Sequence, residues 1–349
     1  MAKTVVGLEI SEEGVRAAEV ALGRSPRVLA FGSVPLPPGA AKDSEVFDSD
    51  AVVLAIRQLW SRAGIKSRDV VLGIGSRRIL VRDYTTLAMR ADLLAQALPY
   101  QVQDLLPVPA EQAVLDFLPV SQEGDQVTGL LVAAVADTVD ELVTAVTKAK
   151  LTVDVVDLAP FALARAVGGL TSAGETVATL FLGDHTTYVV VTQDRIPRFV
   201  RIIPMEIATD AVRARVASLE SDDASMVQFE DVLEPVPAGE MPTRRRSANR
   251  GLARPVTMSA AEISDVVGRL GSTLRFYADR SVDAPVTRVL VCGSGAAVDG
   301  IADALAASLP MPVQLVGVSA VAETKTPIPA GDLDFNLLTT VGLAMRGAR

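Results

Sequence analysis

The sequence predicts a two-domain α/β fold in which a strand hairpin opens each half and a strand–glycine–helix unit lies near the end of the second. Three stretches carry that expectation. VVGLEISEEGVRAAEV, residues 5–20, reads strand, polar turn, strand, and VATLFLGDHTTYVVV, residues 177–191, repeats the pattern. VTRVLVCGSGAAVDGIADALAASL, residues 286–309, runs from a β-branched strand through Gly293 and Gly295 into a helix with Val298, Ile301, Leu305 and Leu309. Such a unit lets backbone approach a nucleotide and sets N–H donors beside it, and it serves equally as a plain tight turn.

Composition sets the frame. At 349 residues the chain exceeds one ordinary domain, and two of ~150 residues are expected. Hydrophobic residues make up 49% against 21% charged, enough for large cores. The net charge of −9 and the lack of a basic face argue against nucleic acid as a partner and against direct binding to an anionic membrane. One Cys and one His exclude a zinc cluster and a disulfide framework, and fit a reducing compartment. No leader and no apolar run of ~18 residues is visible, so a soluble, cytoplasmic protein is expected.

In the first hairpin Val15, Ala17 and Val20 alternate with Arg16 and Glu19, which predicts a half-exposed second strand. Arg27–Pro38 reads as another strand pair. Asp48–Gly64 is an amphipathic helix on Val52, Val53, Ile56, Leu59 and Trp60, stopped by Gly64. DVVLGIG, residues 69–75, is a buried strand. Residues 77–135 read as an inserted subdomain: the strand ILVRDYTTL, a helical stretch at 90–106 broken by Pro99, PVPAEQAVLDFLPV, and the strand GLLVAAVA. Asp137–Leu151 is a helix that Asp137 can cap, and DVVDLAPFALARAV, residues 154–167, is strand then helix. Gly168–Glu175 links the halves.

After the second hairpin come a strand at Arg198–Pro204 and a helix at Thr209–Leu219. Residues 220–255 lose all pattern: acids first, then prolines, then Arg244–Arg246, Arg250 and Arg254. They read as a mobile surface insertion, with a partner-docking arm as the sharper alternative. Ala260–Ser281 returns to a helix striped by Ile263, Val266, Val267, Leu270, Leu274 and Tyr277. Val313–Val318 is an edge strand, and Leu337–Met345, apolar nearly all round, is a buried helix. Cys292, at a strand end, reads as a core thiol.

The paired hairpins, the Leu-Pro-x-Pro turn at 106–109, LLVAAVADTVDEL at 130–142 and the closing DFNLLTTVGLAMRG together resemble the actin, sugar-kinase and chaperone ATPase superfamily. Within it the chain is most similar to the PilM family of type IV pilus assembly, with the cell-division protein FtsA and the cytoplasmic part of GspL as relatives. The resemblance implies an actin-like (ribonuclease H-like) two-domain fold. Residues 1–170 form the first domain, with the FtsA/PilM-type subdomain inserted at 77–135. Residues 171–349 form the second, with a variable subdomain at 205–258 and its loop at about 220–255. The resemblance further implies an ATP and Mg site on Gly7, Ser11 and Arg16 of the first hairpin, Gly183 and Thr186 of the second, and Gly293, Ser294 and Gly295. It implies, too, a PilN-type inner-membrane partner whose cytoplasmic tail lies between the inserted subdomain and the first domain. That groove is expected along Ile79–Arg82 and Tyr100–Leu106, with Arg82 as a polar clamp and Leu105 and Leu106 as anchors; either leucine can equally be core. Such a protein sits at the inner face of the cell membrane through its partner alone, with self-association left open.

Where nucleotide chemistry should sit, the residues depart from the family's pattern. That pattern in the first hairpin is D-x-G-S/T-x-x-x-K; here Glu9 takes the Asp place, Ser11 the Gly place and Arg16 the Lys place. Glu12 and Glu13 fall where small hydroxyl residues cradle phosphate. A bare carboxylate ~4 Å from a phosphate charge is repelled by ~4 kcal/mol at an effective dielectric of ~20, against the ~8 kcal/mol of a micromolar complex. In the second hairpin Phe181 takes the Asp place, where a phenyl ring can hold neither Mg²⁺ nor water. His185 reads more readily as a solvated turn residue than as a catalytic base, and Asp184 beside it is a candidate to approach a metal, although immediate neighbours on a hairpin usually point apart. Pro204–Met205–Glu206 replaces a Gly-Gly turn, with Thr209 near the usual Thr. Three readings follow: a scaffold with a degenerate nucleotide site, without catalytic residues or metal ligands; an ATPase that binds and slowly hydrolyses ATP; and an FtsA-like filament. The off-pattern Glu9, Ser11, Phe181 and Pro204 favour the scaffold.

Overall fold

The computed structural model describes residues 3–23, 25–219 and 257–348, so the expected loop at 220–255 lies outside the described residues. The chain opens with β1 (Thr4–Ile10) and β2 (Gly14–Ala21), paired antiparallel with Glu9 opposite Arg16. Arg27–Pro38 holds one strand rather than two, β3 (Arg27–Pro35), followed by a minimal hairpin of β4 (Ala41–Lys42) and β5 (Glu45–Val46). Helix α1 (Ser49–Ala63) begins where the Asp48 carboxylate accepts from the Ala51 N–H and ends at Gly64, whose φ of 66° a glycine adopts without strain. The buried strand β6 (Asp69–Ile74) then runs parallel to β1.

The inserted segment builds its own three-stranded sheet from β7 (Leu80–Leu87), β8 (Ala113–Glu123) and β9 (Gln126–Val135), in the order β7-β9-β8. Helix α2 (Ala91–Gln101) covers it, burying Leu98 with Val102 and Leu131. Pro99 sits inside α2 and a 3-10 turn at Gln103–Leu105 follows. Then come α3 (Ala136–Lys148), with Asp137 in its first turn and Val135 rather than Asp137 at the cap, β10 (Thr152–Leu158) and α4 (Ala159–Val167).

The second half repeats the first. It runs through β11 (Thr176–Leu182), β12 (Thr186–Gln193), β13 (Ile196–Pro204), a helix α5 over residues 210–219, α6 (Ala260–Arg280), β14 (Arg288–Cys292), α7 (Ile301–Ser308) and β15 (Val313–Leu315). Strand order β13-β12-β11-β14-β15 matches β3-β2-β1-β6-β10. In each sheet three antiparallel strands are followed by two parallel ones. This duplication is the expected actin-like topology.

The chain's end crosses back. β16 (Glu323–Thr324) extends the first sheet parallel to β3, and after α8 (Asp332–Asn336) helix α9 (Leu338–Ala344) packs on α4, β1 and β2. The tail of the expected 171–349 unit thus stands on the first sheet. With α9 on one face and α1 on the other, β2 is buried along its length instead of half exposed. Its polar residues are consumed internally: the Glu19 carboxylate accepts from the N–H groups of Lys66 and Ser67, at 3.2 and 3.1 Å.

Candidate functional site

The β1–β2 and β11–β12 turns meet across the cleft between the two sheets. Each turn is self-satisfied. The Ser11 N–H and hydroxyl both donate to the Gly14 carbonyl at 2.9 Å, and the Gly183 N–H donates to Thr186 O at 3.1 Å. At the centre lies buried Asp184, whose Oδ1 accepts from Thr209 Oγ1 (2.7 Å) and Ser294 Oγ (2.9 Å). Arg16 reaches from the other lobe to within 3.8 Å of Asp184 Oδ2, while its buried Nε has no partner among the described residues. Glu9 is buried and accepts from the Thr340 hydroxyl of α9. Burial pushes the Glu9 carboxyl above the usual range, opposed by the Arg16 charge and by the Thr340 bond. Beneath them the Tyr188 hydroxyl donates to Gly75 O at 2.8 Å, and Phe181 stacks on the Tyr188 ring at 5.2 Å.

A second cluster crosses at the cleft's rim. His185 Nε2 lies 2.7 Å from Glu13 Oε1, and Nδ1 contacts Glu206. Burial alone would lower the His185 pKa; the bonds to Glu13 and Glu206, with the Glu206 and Glu12 charges, outweigh it and push it up to about 9. Arg215 of α5 places Nε 3.0 Å from Glu13 Oε2 and donates from NH2 to the carbonyls of Glu12 and Leu36. Its NH1 lies 3.8 Å from the Glu12 carboxylate.

Two expectations are thereby corrected. His185 is no solvated turn residue: 22% of its side chain is exposed and both ring nitrogens are engaged. Nor do Glu12 and Glu13 stand bare to repel phosphate, because both face Arg215 and Glu13 also holds His185. Asp184 and His185 do point apart as expected, yet each finds a partner in the first lobe.

Of the eight residues expected at a nucleotide, Ser11, Arg16, Gly183 and Thr186 line one cavity with Glu9, Glu12 and Asp184. Ser294 stands behind Asp184. Gly7, Gly293 and Gly295 serve packing instead. A Cβ on Gly7 would lie 1.9 Å from Thr340 O, so α9 approaches β1 backbone to backbone there. Gly293 has φ 86° and a Cβ would fall 2.4 Å from Leu182 O, while Gly295 packs against Ile207 and Leu182. Nor does a helix follow this turn directly: a 3-10 turn at Ser294–Ala297 intervenes, and α7 begins beyond Gly300. The cavity measures about 70 Å³, whereas small-molecule sites run to roughly 300–1,000 Å³. Glu206, Arg215, Thr340 and the Tyr188–Gly75 bridge escaped sequence reasoning. Charge at the first two was the only available signal.

On the inserted subdomain, Arg82 is exposed on β7 opposite Leu131 of β9. Leu105 is 38% exposed, and Leu106 packs partly buried on Leu98, Val102 and Leu131. Tyr100 projects at 85% exposure. Ile79, expected beside Arg82 in a groove, is buried in the first lobe's core together with Val139 and Leu142 of α3.

The family model for the type IV pilus assembly protein PilM matches residues 7–201, just over half of the 349. Among solved structures, the chain is similar to one from the "PilM-PilN type IV pilus biogenesis complex", with a TM-score of 0.78, 20% identity and 100% of each chain covered. The ethanolamine utilization protein EutJ from Carboxydothermus hydrogenoformans is similar at a TM-score of 0.49 and 14% identity, over 99% of this chain and 90% of that one. At 20% identity the likeness to the chain of the PilM–PilN complex speaks to fold.

Proposed function

The chain belongs to the PilM family of type IV pilus assembly proteins, and from that premise we propose that it is an actin-like scaffold with a degenerate nucleotide site. Its retained task in this reading is to bind the cytoplasmic tail of a PilN-type inner-membrane protein, which would hold it at the inner face of the membrane. The carrying observation is the cleft itself. Glu9, Glu12 and Asp184 face a cavity of about 70 Å³, and Arg16 already lies beside Asp184, where a divalent ion would have to compete with a guanidinium. Ser11 and Gly183, which should offer donors to phosphate, close their own turns. These residues do not fit Mg-ATP.

An ATPase that binds and slowly hydrolyses ATP is the second reading. The observation that favours it is that Glu9 and Asp184, two carboxylates from opposite lobes, still line one cleft.

For the partner, exposed Arg82 and Leu105 support a clamp and an anchor on the inserted subdomain, whereas the partial burial of Leu106 fits core filling. The likeness to a chain of a PilM–PilN complex supports the choice of partner. Capture of a PilN-type cytoplasmic tail on beads, without nucleotide, tests this. The tail should be retained, and Arg82→Glu or Leu105→Asp should cut retention at least tenfold while the fold survives. Capture that needs Mg-ATP, or that both variants leave unchanged, would overturn it.

A further inference from the structure

Four side chains join the lobes at the cleft's rim. Glu13 comes from the β1–β2 turn, His185 from the β11–β12 turn, Glu206 from the segment after β13, and Arg215 from α5. His185 lies between two carboxylates, one on each ring nitrogen. A neutral imidazole has one donor and one acceptor nitrogen, so it can satisfy only one carboxylate; two demand the imidazolium. Glu13 in turn is shared: Oε1 takes His185 and Oε2 takes the Arg215 Nε at 3.0 Å. Its side chain is 5% exposed, so a loss of either cation would leave a nearly buried charge short of a partner. The remaining charged group acting on the His185 ring is Glu12, which faces Arg215.

We infer that Glu13, His185, Glu206 and Arg215 form a proton-dependent clamp that closes the cleft through protein groups alone, and that it weakens when His185 loses its second proton. Where two lobes close over a cleft by hinge motion, a group that bridges their facing hairpins limits how far they part. Here the bridge spans the chain from Glu13 to His185, 172 residues apart. The raised His185 pKa of about 9 agrees in direction with two facing carboxylates. The clamp holds at neutral pH and loosens in mild alkali. It goes beyond the scaffold reading and does not depend on it.

Double electron–electron resonance on the full chain tests the clamp, with spin labels at Ser61→Cys on α1 and Ser308→Cys on α7. Both sites are exposed, while Cys292 is buried and escapes labelling. At pH 7 a single narrow distance is expected, broadening toward longer distances at pH 9.5. His185→Gln should be broad at pH 7 already and should not change further. Glu206→Gln replaces a carboxylate that is 80% exposed, so the fold tolerates it, and it should move the broadening to lower pH. A wild-type distribution identical at both pH values overturns the clamp, as does equal alkaline broadening in the wild type and His185→Gln. Calorimetry with Mg-ATP on the same samples keeps the two ideas apart. Tight binding by a wild type that passes the resonance test defeats the scaffold reading alone; failure of the resonance test without nucleotide binding defeats the clamp alone.

Discussion

His185 lies between Glu13 and Glu206, and its charge state is therefore coupled to folding. Its pKa is raised from 6.5 to about 9, so its contribution is complete below pH ~6.5 and is lost as pH rises through about 9. The difference in unfolding free energy between wild type and His185→Gln should be about 1–2 kcal/mol at pH 6, less than the whole shift implies because solvent reaches part of the ring. It should shrink toward zero at pH 9.5. Urea titrations at the two pH values measure it, and a difference that stays constant would contradict the account. Sequence alone showed that Glu12 and Glu13 were out of pattern and gave His185 as a solvated turn residue, but not that Glu13 and His185 pair. Pairing between residues 172 apart leaves no local spacing to read. The sequence pattern sets Phe181 at the Asp place of the second hairpin; its stacking on Tyr188, whose hydroxyl ties that hairpin to Gly75 just beyond β6, was not legible.

Among the elements, those specified by local chemistry were read closely. Helix α1 fills the expected stretch and stops at Gly64 where the sequence put it, and both hairpins are present. Helix α9 was legible as buried because its stretch is apolar nearly all round, yet nothing in that pattern says that it docks on β1. That docking reassigns Gly7. A strand glycine signals close backbone approach without saying whether a phosphate or a helix approaches. Here it is Thr340 O of α9, so Gly7→Ala should push helix and strand apart at a cost of about 1–3 kcal/mol, the range of an overpacked core. Chemical denaturation measures this, and a loss below about 0.5 kcal/mol would show that α9 can slide to make room. The same ambiguity explains Gly293 and Gly295, whose strand-turn setting was read correctly and whose neighbours are Leu182 and Ile207. β2 was misjudged as half exposed because a central strand can hide Arg16 and Glu19 by pairing them internally.

At the scale of the molecule, two sheets that share a five-strand order place their first hairpins face to face across one cavity. The duplication was visible in the sequence because both hairpins keep their strand–turn–strand pattern. The closure of the cleft was not, since it rests on Arg16–Asp184, His185, Arg215 and Tyr188, each crossing from one lobe to the other. Among the described residues no helix is long and apolar enough to cross a membrane. The central claim is that this cleft has exchanged nucleotide for protein contacts. Isothermal titration calorimetry with Mg-ATP at neutral pH tests it most directly. The account predicts a Kd far weaker than micromolar, with no change when Mg²⁺ is removed; a micromolar or tighter complex that needs Mg²⁺ would contradict it.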